Sequence, residues 1–458
     1  MSSRNALPLQ RMISTAAAVV VTFALSACGS NRGVKTAQQQ YRTGNFKGAL
    51  AEIRAESVKH KEDSKDAPVV RLEHASIALT AGENKEALEA FRLADEAIEY
   101  RDQKPVVQLG REASAMLTNL NSMPYNTSPS ERVMGASLMA VSFAANGELD
   151  KARSAVKLAK NRQKDTFAKF EAQIERERES VKQAMASEPK VKVDLKPEKV
   201  DTAVSQLQDT AAKFAPYADL SVPYAEVLAG ILLGAGPNAE TARSRESFAH
   251  ASAANPSNSQ LKKAATAPLA GTTHILIEEG VAPALGEFRV DLPLYINGNM
   301  VMFSAAFPSF QPQPLLRAEA SVKAGGEAVT AEPVCDFDRI AAGEYKRKLP
   351  ATVARTVAAS TLKSVISYAS QEALKQKGGS AAGLVGLASA AYNVASARAD
   401  ERIWATLPKV VRYAMIPTPA DGVIEINGQK VQLAKDGSTK LVIARSVNGN
   451  LSTQSIGL

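Results

Sequence analysis

Apolar residues recur at helical spacing from about residue 41 to 265, and at the alternating spacing of strands from Thr272 onward. Four places in the first stretch share one pattern: an apolar helix, a glycine turn, then a second helix led by a small residue. They read Tyr41-x-x-Gly44-Asn45-Phe46-x-x-Ala49-Leu50, Ala78-x-x-x-Gly82-Glu83-Asn84-x-x-Ala87-Leu88, Phe143-x-x-x-Gly147-Glu148-Leu149-x-x-Ala152, and Leu232-Leu233-x-x-Gly236-Pro237-Asn238 with Ala242. Glycine suits the point where a helix stops and the chain reverses, because it tolerates a left-handed cap. Alanine suits the point where the second helix crosses the first closely, and Phe91 and Ala94 continue that face. A long charged helix is predicted at about 150–188, with Asp165 and Lys169, and Glu175 and Arg178, spaced for ion pairing. It is either a projecting coiled coil or a solvated face, and 189–200 reads as a linker.

The pattern changes at 266, and 266–458 reads as an α+β unit. His274–Glu278, Phe288–Leu292, Met300–Phe303 and the region Ala318–Val322 are strand-like, with Asn297-Gly298 as a hairpin turn. At the chain end, 422–446 is predicted as a β-meander through turns at Asn427-Gly428 and Asp436-Gly437. Between these strands lies a helical insertion at about 350–399. Its half from Gly378 to Ala397 is uncharged and contains Gly379-x-x-x-Gly383. That half reads as a helical hairpin packed against the sheet, with a membrane-dipping segment as the alternative.

The first 27 residues carry different information. Arg4 and Arg11 precede an apolar run from Met12 to Leu25, then small residues. That is the order of a secretory leader, and the run is too short to span a bilayer comfortably. Leu25-Ser26-Ala27-Cys28 resembles the lipobox of bacterial lipoproteins. The resemblance implies removal of 1–27, a diacylglyceryl group on the Cys28 sulfur and acylation of the new amino terminus. Two or three acyl chains give a stable anchor where one does not. Residues 28–40 are expected as a tether, and Gly29 in place of an aspartate implies the outer membrane, facing the periplasm.

Composition adds limits. The chain has 458 residues, 45% of them hydrophobic, enough for more than one domain. Net charge is +8, and loss of Arg4 and Arg11 leaves +6, spread among acids rather than gathered. This does not suggest a nucleic-acid partner. With Cys28 acylated, Cys335 has no disulfide partner and is expected to be a buried apolar side chain.

Two resemblances go further. The four hairpins resemble tetratricopeptide (TPR) repeats, although Gly44 to Gly82 spans 38 residues and Gly82 to Gly147 spans 65, against a tandem period of 34. In order along the chain come Tyr125 with Glu131-Arg132, Gly147-Glu148, and Tyr224 before Gly230. Then follow Glu279-Gly280-Val281-Ala282-Pro283 and Asp400-x-Arg402-x-Trp404-x-x-Leu407-Pro408. Together these resemble a family of TPR-containing Gram-negative envelope lipoproteins without an established activity. Thr127 and Glu401 depart from its pattern.

The expected fold class is therefore a TPR-like helical repeat array over 41–265, followed by a β-rich domain with a helical-hairpin insertion. Candidate chemistry is sparse. His60, His74, His250 and His274 occur singly, and no nucleophile elbow or phosphate loop is present in the sequence. Asp336 and Asp338 read as turn chemistry. Asp400, Arg402 and Trp404 are the candidate partner-binding group, with an ion pair and ring that lock the insertion onto the sheet as the competing reading. No catalytic residue, metal or cofactor is expected beyond the Cys28 lipid. The expected function is a periplasmic scaffold with an envelope protein partner. Regulation of peptidoglycan synthesis, or a membrane-remodelling or pore-associated role for 351–399, are the alternatives.

Overall fold

The computed structural model describes residues 32–103, 123–186, 197–296, 299–317, 319–376 and 382–458. Cys28, the leader and the Asn297-Gly298 turn lie outside those residues, as do 189–196 of the expected linker; its last four residues, 197–200, are corrected to the start of a helix.

Helices come first. α1 (Arg32–Arg42) and α2 (Phe46–Ser57) form one hairpin, and α3 (Ala67–Thr80) and α4 (Asn84–Gln103) a second. α5 (Pro129–Ala145) and α6 (Leu149–Ala186) form a third. After α7 (Pro197–Ala212), α8 (Pro223–Gly234) and α9 (Thr241–Ala254) form a fourth, followed by α10 (Ser259–Thr266). Each hairpin reverses at one of the glycines read from the sequence: Gly44, Gly82, Gly147 and Gly236 take φ of 79°, 85°, 79° and 74°. A side chain in that left-handed region collides with its own backbone, so the turn selects glycine. α5 begins with a reciprocal cap between Ser128 and Glu131.

The expected tether to residue 40 is corrected, because the chain is already helical from Arg32. Val34, Ala37 and Tyr41 of α1 are buried, so α1 is held by packing. α6 matches the long charged helix, and Glu175 pairs with Arg178 at 3.4 Å. It does not simply project. Phe170 and Ile174 pack with Leu220 and Ala351, and Val181 packs with Ala358.

Ten strands follow: β1 (Thr272–Glu279), β2 (Ala284–Ile296), β3 (Asn299–Gln311), β4 (Ala320–Ala324), β5 (Glu327–Asp336), β6 (Val410–Pro417), β7 (Val423–Ile426), β8 (Gln429–Gln432), β9 (Lys440–Val447) and β10 (Asn450–Gly457). Eight form a mixed sheet in the order β10-β9-β1-β6-β5-β4-β7-β8. Its two ends approach each other through β10 and β8, so the sheet is nearly closed. β2 and β3 form a separate long hairpin, with Ala284 opposite Gln311 and Ile296 opposite Asn299.

The expected meander over 422–446 is wrong beyond its first turn. β7 and β8 pair across Asn427-Gly428, but β9 crosses to the other side of the sheet. There it lies parallel to β1 (Thr273 opposite Lys440) and antiparallel to β10. Buried Leu441 and Ile443 on β9 face the helical core, which draws that strand away from β8.

Between β5 and β6 run α11 (Phe337–Gln376) and α12 (Ala382–Ser396). The helix starts at Phe337, not near residue 350, because the Asp336 carboxylate accepts the Asp338 N–H at 2.9 Å and caps it. α11, α12 and α7 cover the β2–β3 hairpin around Phe303, Phe307, Phe310 and Tyr345. On α12, buried Asn393 donates to the Met302 carbonyl at 3.2 Å, while Tyr392 is 48% exposed. Residues 377–381 lie outside the described set. No helix among the described residues is long and apolar enough to cross a membrane.

The change of pattern near 266 is a change from helix to strand, yet one hydrophobic core crosses it. Tyr41, Phe91, Met134 and Leu228 of the hairpins share that core with Leu276, Trp404, Tyr413 and Ile443.

Candidate functional site

The segment between α12 and β6, residues 397–409, is neither helix nor strand, so its backbone amides need partners from elsewhere. Two carboxylates of the helical layer supply them for Trp404 and Ala405. Glu73 of α3 accepts from Ala405 N (2.7 Å), the Thr406 hydroxyl (2.5 Å) and the Gln38 amide (2.7 Å). Glu131 of α5 accepts from Trp404 N (2.9 Å), the Tyr125 hydroxyl (2.5 Å) and Ser128 N (2.8 Å). A third buried carboxylate, Glu344 of α11, accepts from the N–H and hydroxyl of Ser130 at 2.7 and 2.9 Å.

These three carboxylates have no cation partner among the described residues. Burial dominates at Glu73 and Glu344 and pushes each up to about 7, against the opposing pull of the donated hydrogen bonds. Both therefore change charge near neutral pH.

The candidate group Asp400, Arg402 and Trp404 lies within this seam. The Arg402 guanidinium makes a two-pronged pair with Asp400 (2.8 and 2.6 Å) and reaches Asp66 at 2.6 Å and the Met123 carbonyl at 2.9 Å. Trp404 is completely buried. Its indole N–H contacts the Ser76 and Thr406 hydroxyls at 3.0 and 3.1 Å, and its ring lies 6.2 Å from that of Phe91. Arg402 and Trp404 are thus committed to contacts within the chain, leaving Asp400, 31% exposed, as the group's solvent-facing member. The group ties the segment to α3, α4 and α5, where the competing reading had the insertion locked onto the sheet.

On the sheet side, Arg445 of β9 continues the network. Its Nε donates to the Tyr41 hydroxyl at 2.9 Å, one terminal nitrogen to the Glu278 carbonyl at 2.9 Å, and the other to the Thr406 carbonyl at 3.3 Å. Tyr224 donates to the Glu278 carboxylate at 3.0 Å. A cavity of about 20 Å³ remains among Tyr41, Ser76, Thr80, Glu278, Thr406 and Arg445. Its lining is mixed, with Leu79, Leu138, Val141 and Ile443 beside the polar groups, and its volume is close to that of one water molecule.

The remaining candidates are accounted for by packing. Cys335 is fully buried, and burial raises its thiol well above the usual range, so it is not a poised nucleophile. His274 is stacked against Phe248 and Tyr413 and bonds the Tyr413 hydroxyl at 2.7 Å; burial lowers it to about 3, leaving it neutral. Asp338 pairs with Lys409. His60 and His74 face Glu56 and Glu86 at 3.4 and 2.7 Å, and His250 lies 3.8 Å from Glu226. No group of three or more His, Cys, Asp or Glu side chains among the described residues is placed to hold a metal ion.

Sequence patterning alone does not single out Glu73, Glu278 or Arg445. A signal exists for Glu73: α3, Ala67–Thr80, is buried along nearly its whole length, and a carboxylate in such a helix must have an internal donor. Comparison with family models, with curated proteins and with solved structures finds no match.

Proposed function

We propose that the chain is an outer-membrane lipoprotein, acylated at Cys28, whose body is a periplasm-facing scaffold for an envelope protein partner. The observation that carries this is the order Arg4, Arg11, apolar run, Leu25-Ser26-Ala27-Cys28, which matches what export and lipidation require. The four glycine-turned hairpins support a TPR-like array, an architecture that presents extended grooves. One groove, of about 500 Å³, opens between α4 and the α5–α6 turn and is lined by Leu88, Arg92, Phe143, Asn146 and Lys151 among others. The buried seam fits a scaffold role, because its carboxylates are occupied with backbone and hydroxyl donors rather than aimed at a substrate. Mild crosslinking in cells followed by purification is expected to recover the same envelope protein repeatedly, with recovery reduced by Phe143→Asp in the groove. Recovering no consistent partner, with wild-type and groove-variant cells indistinguishable under envelope stress, would sink the reading.

A further inference from the structure

The Glu279-Gly280-Val281-Ala282-Pro283 motif is tied to the end of the seam segment through Leu407 and Lys409, and its other side borders a second cleft. This cleft of about 290 Å³ lies where the motif loop, the C-terminal end of α1, the 313–317 loop and the β9–β10 turn meet. That volume is near the lower end for ligand pockets. The loop is fixed on both sides: Gly280 N donates to the Ser446 carbonyl at 2.9 Å and Ala282 N to the Leu407 carbonyl at 2.7 Å. Gly280 takes φ of 68°, and a Cβ there would lie 3.1 Å from Lys409 and 3.3 Å from Leu315, so the motif glycine keeps this corner uncrowded.

The lining carries unbalanced positive charge. Arg42 and Arg317 both border the cleft, and neither has an ion pair or hydrogen bond among the described residues. The Arg42 Nε is shielded from solvent without a partner, the kind of donor that ordinarily finds one. The one carboxylate in the lining, Glu279, is already neutralised by Arg412 at 2.7 Å, with both side chains buried. Beside these guanidiniums lie Val281, Pro314, Leu315 and Leu316, the last 68% exposed.

We propose that this cleft binds the carboxyl terminus of a peptide ending in apolar residues. The guanidiniums supply planar donors matched to a carboxylate, and the Val281–Leu316 wall takes the adjoining side chain. A terminal residue carries both groups on one carbon, and the volume suits a short chain end rather than a folded domain. The cleft's own residues carry this assignment, which does not depend on acylation of Cys28 or on the groove at Phe143.

The test uses the purified chain from Gly29 onward, with N-acetyl-leucyl-leucine and its carboxamide as probes, read by saturation-transfer NMR and competition. The acid is expected to bind saturably and the amide at least tenfold more weakly. R42Q and R317Q are each expected to weaken the acid at least fivefold, without changing the thermal unfolding midpoint. Arg317 is exposed, so R317Q keeps the test valid if R42Q unfolds. Inorganic phosphate at the same concentration is expected to compete poorly. Equal binding of acid and amide, full binding by both arginine variants, displacement of the acid by equal phosphate, or no binding at all would each overturn the proposal.

Discussion

Arg402 and Asp66 form a buried ion pair at 2.6 Å across 336 residues of sequence, their side chains only 9% and 1% exposed. Removing one partner of such a pair leaves an uncompensated charge out of water, which costs about 3–5 kcal/mol. Arg402→Met, which strands Asp66, is therefore expected to lower stability by that order in urea titrations, and Asp66→Asn by less, because Asp400 still pairs with Arg402. The double variant should be less destabilised than the two single losses added together, because the stranded charge disappears. Strict additivity would show that the pair is not coupled.

Trp404 is the largest fully buried side chain, packed on Phe91 and hydrogen-bonded to Ser76 and Thr406. Truncation to alanine opens a cavity in the core shared by helices and sheet. The expected loss is about 3–5 kcal/mol, measured as a shift of the urea midpoint at constant slope. A loss below about 1 kcal/mol would contradict the packing described.

The turn glycines make a separate prediction. Gly82 and Gly147 have positive φ, and no atom lies within 4 Å of where a Cβ would stand, so substitution meets backbone strain and no steric neighbour. Gly82→Ala and Gly147→Ala should each cost about 1–2 kcal/mol by thermal or chemical denaturation, and leave the far-UV spectrum unchanged. A neutral effect would argue against these turn conformations.

These turns are legible in the sequence because what selects glycine is local: the backbone conformation excludes other residues whatever packs nearby. Asn427-Gly428 is legible for the same reason. β9 is not. Its run Leu441–Ile443 fits a meander strand as well as a parallel neighbour of β1, and the choice depends on a core assembled from residues throughout the chain. The site shows the same division. The Asp400–Arg402 pair can be read from its spacing, whereas Asp66, Glu73 and Glu131 cannot be joined to that segment without the fold.

Glu73 and Glu344 predict a pH dependence. Burial raises both from an ordinary 4.5 to about 7, so the folded chain holds these protons more tightly than the unfolded one. Their contribution is fully present below about pH 4.5 and lost as pH rises through about 7. Glu86 acts oppositely: its hydrogen bond from Arg54 holds it at about 2, so its stabilisation is lost as pH falls from 4.5 toward 2. Glu73→Gln should flatten the decline of the urea midpoint between pH 4.5 and 7, relative to wild type. An unchanged slope would contradict the raised value.

The central claim is that Cys28 tethers this body to a membrane. Intact-mass and peptide mass spectrometry of the detergent-extracted protein from its native envelope tests it most directly. The account predicts an amino-terminal peptide beginning at Cys28 and carrying diacylglyceryl and N-acyl mass, with Cys28→Ser abolishing both cleavage and lipid. An unmodified Cys28, or a mature chain that keeps residues 1–27, would contradict it.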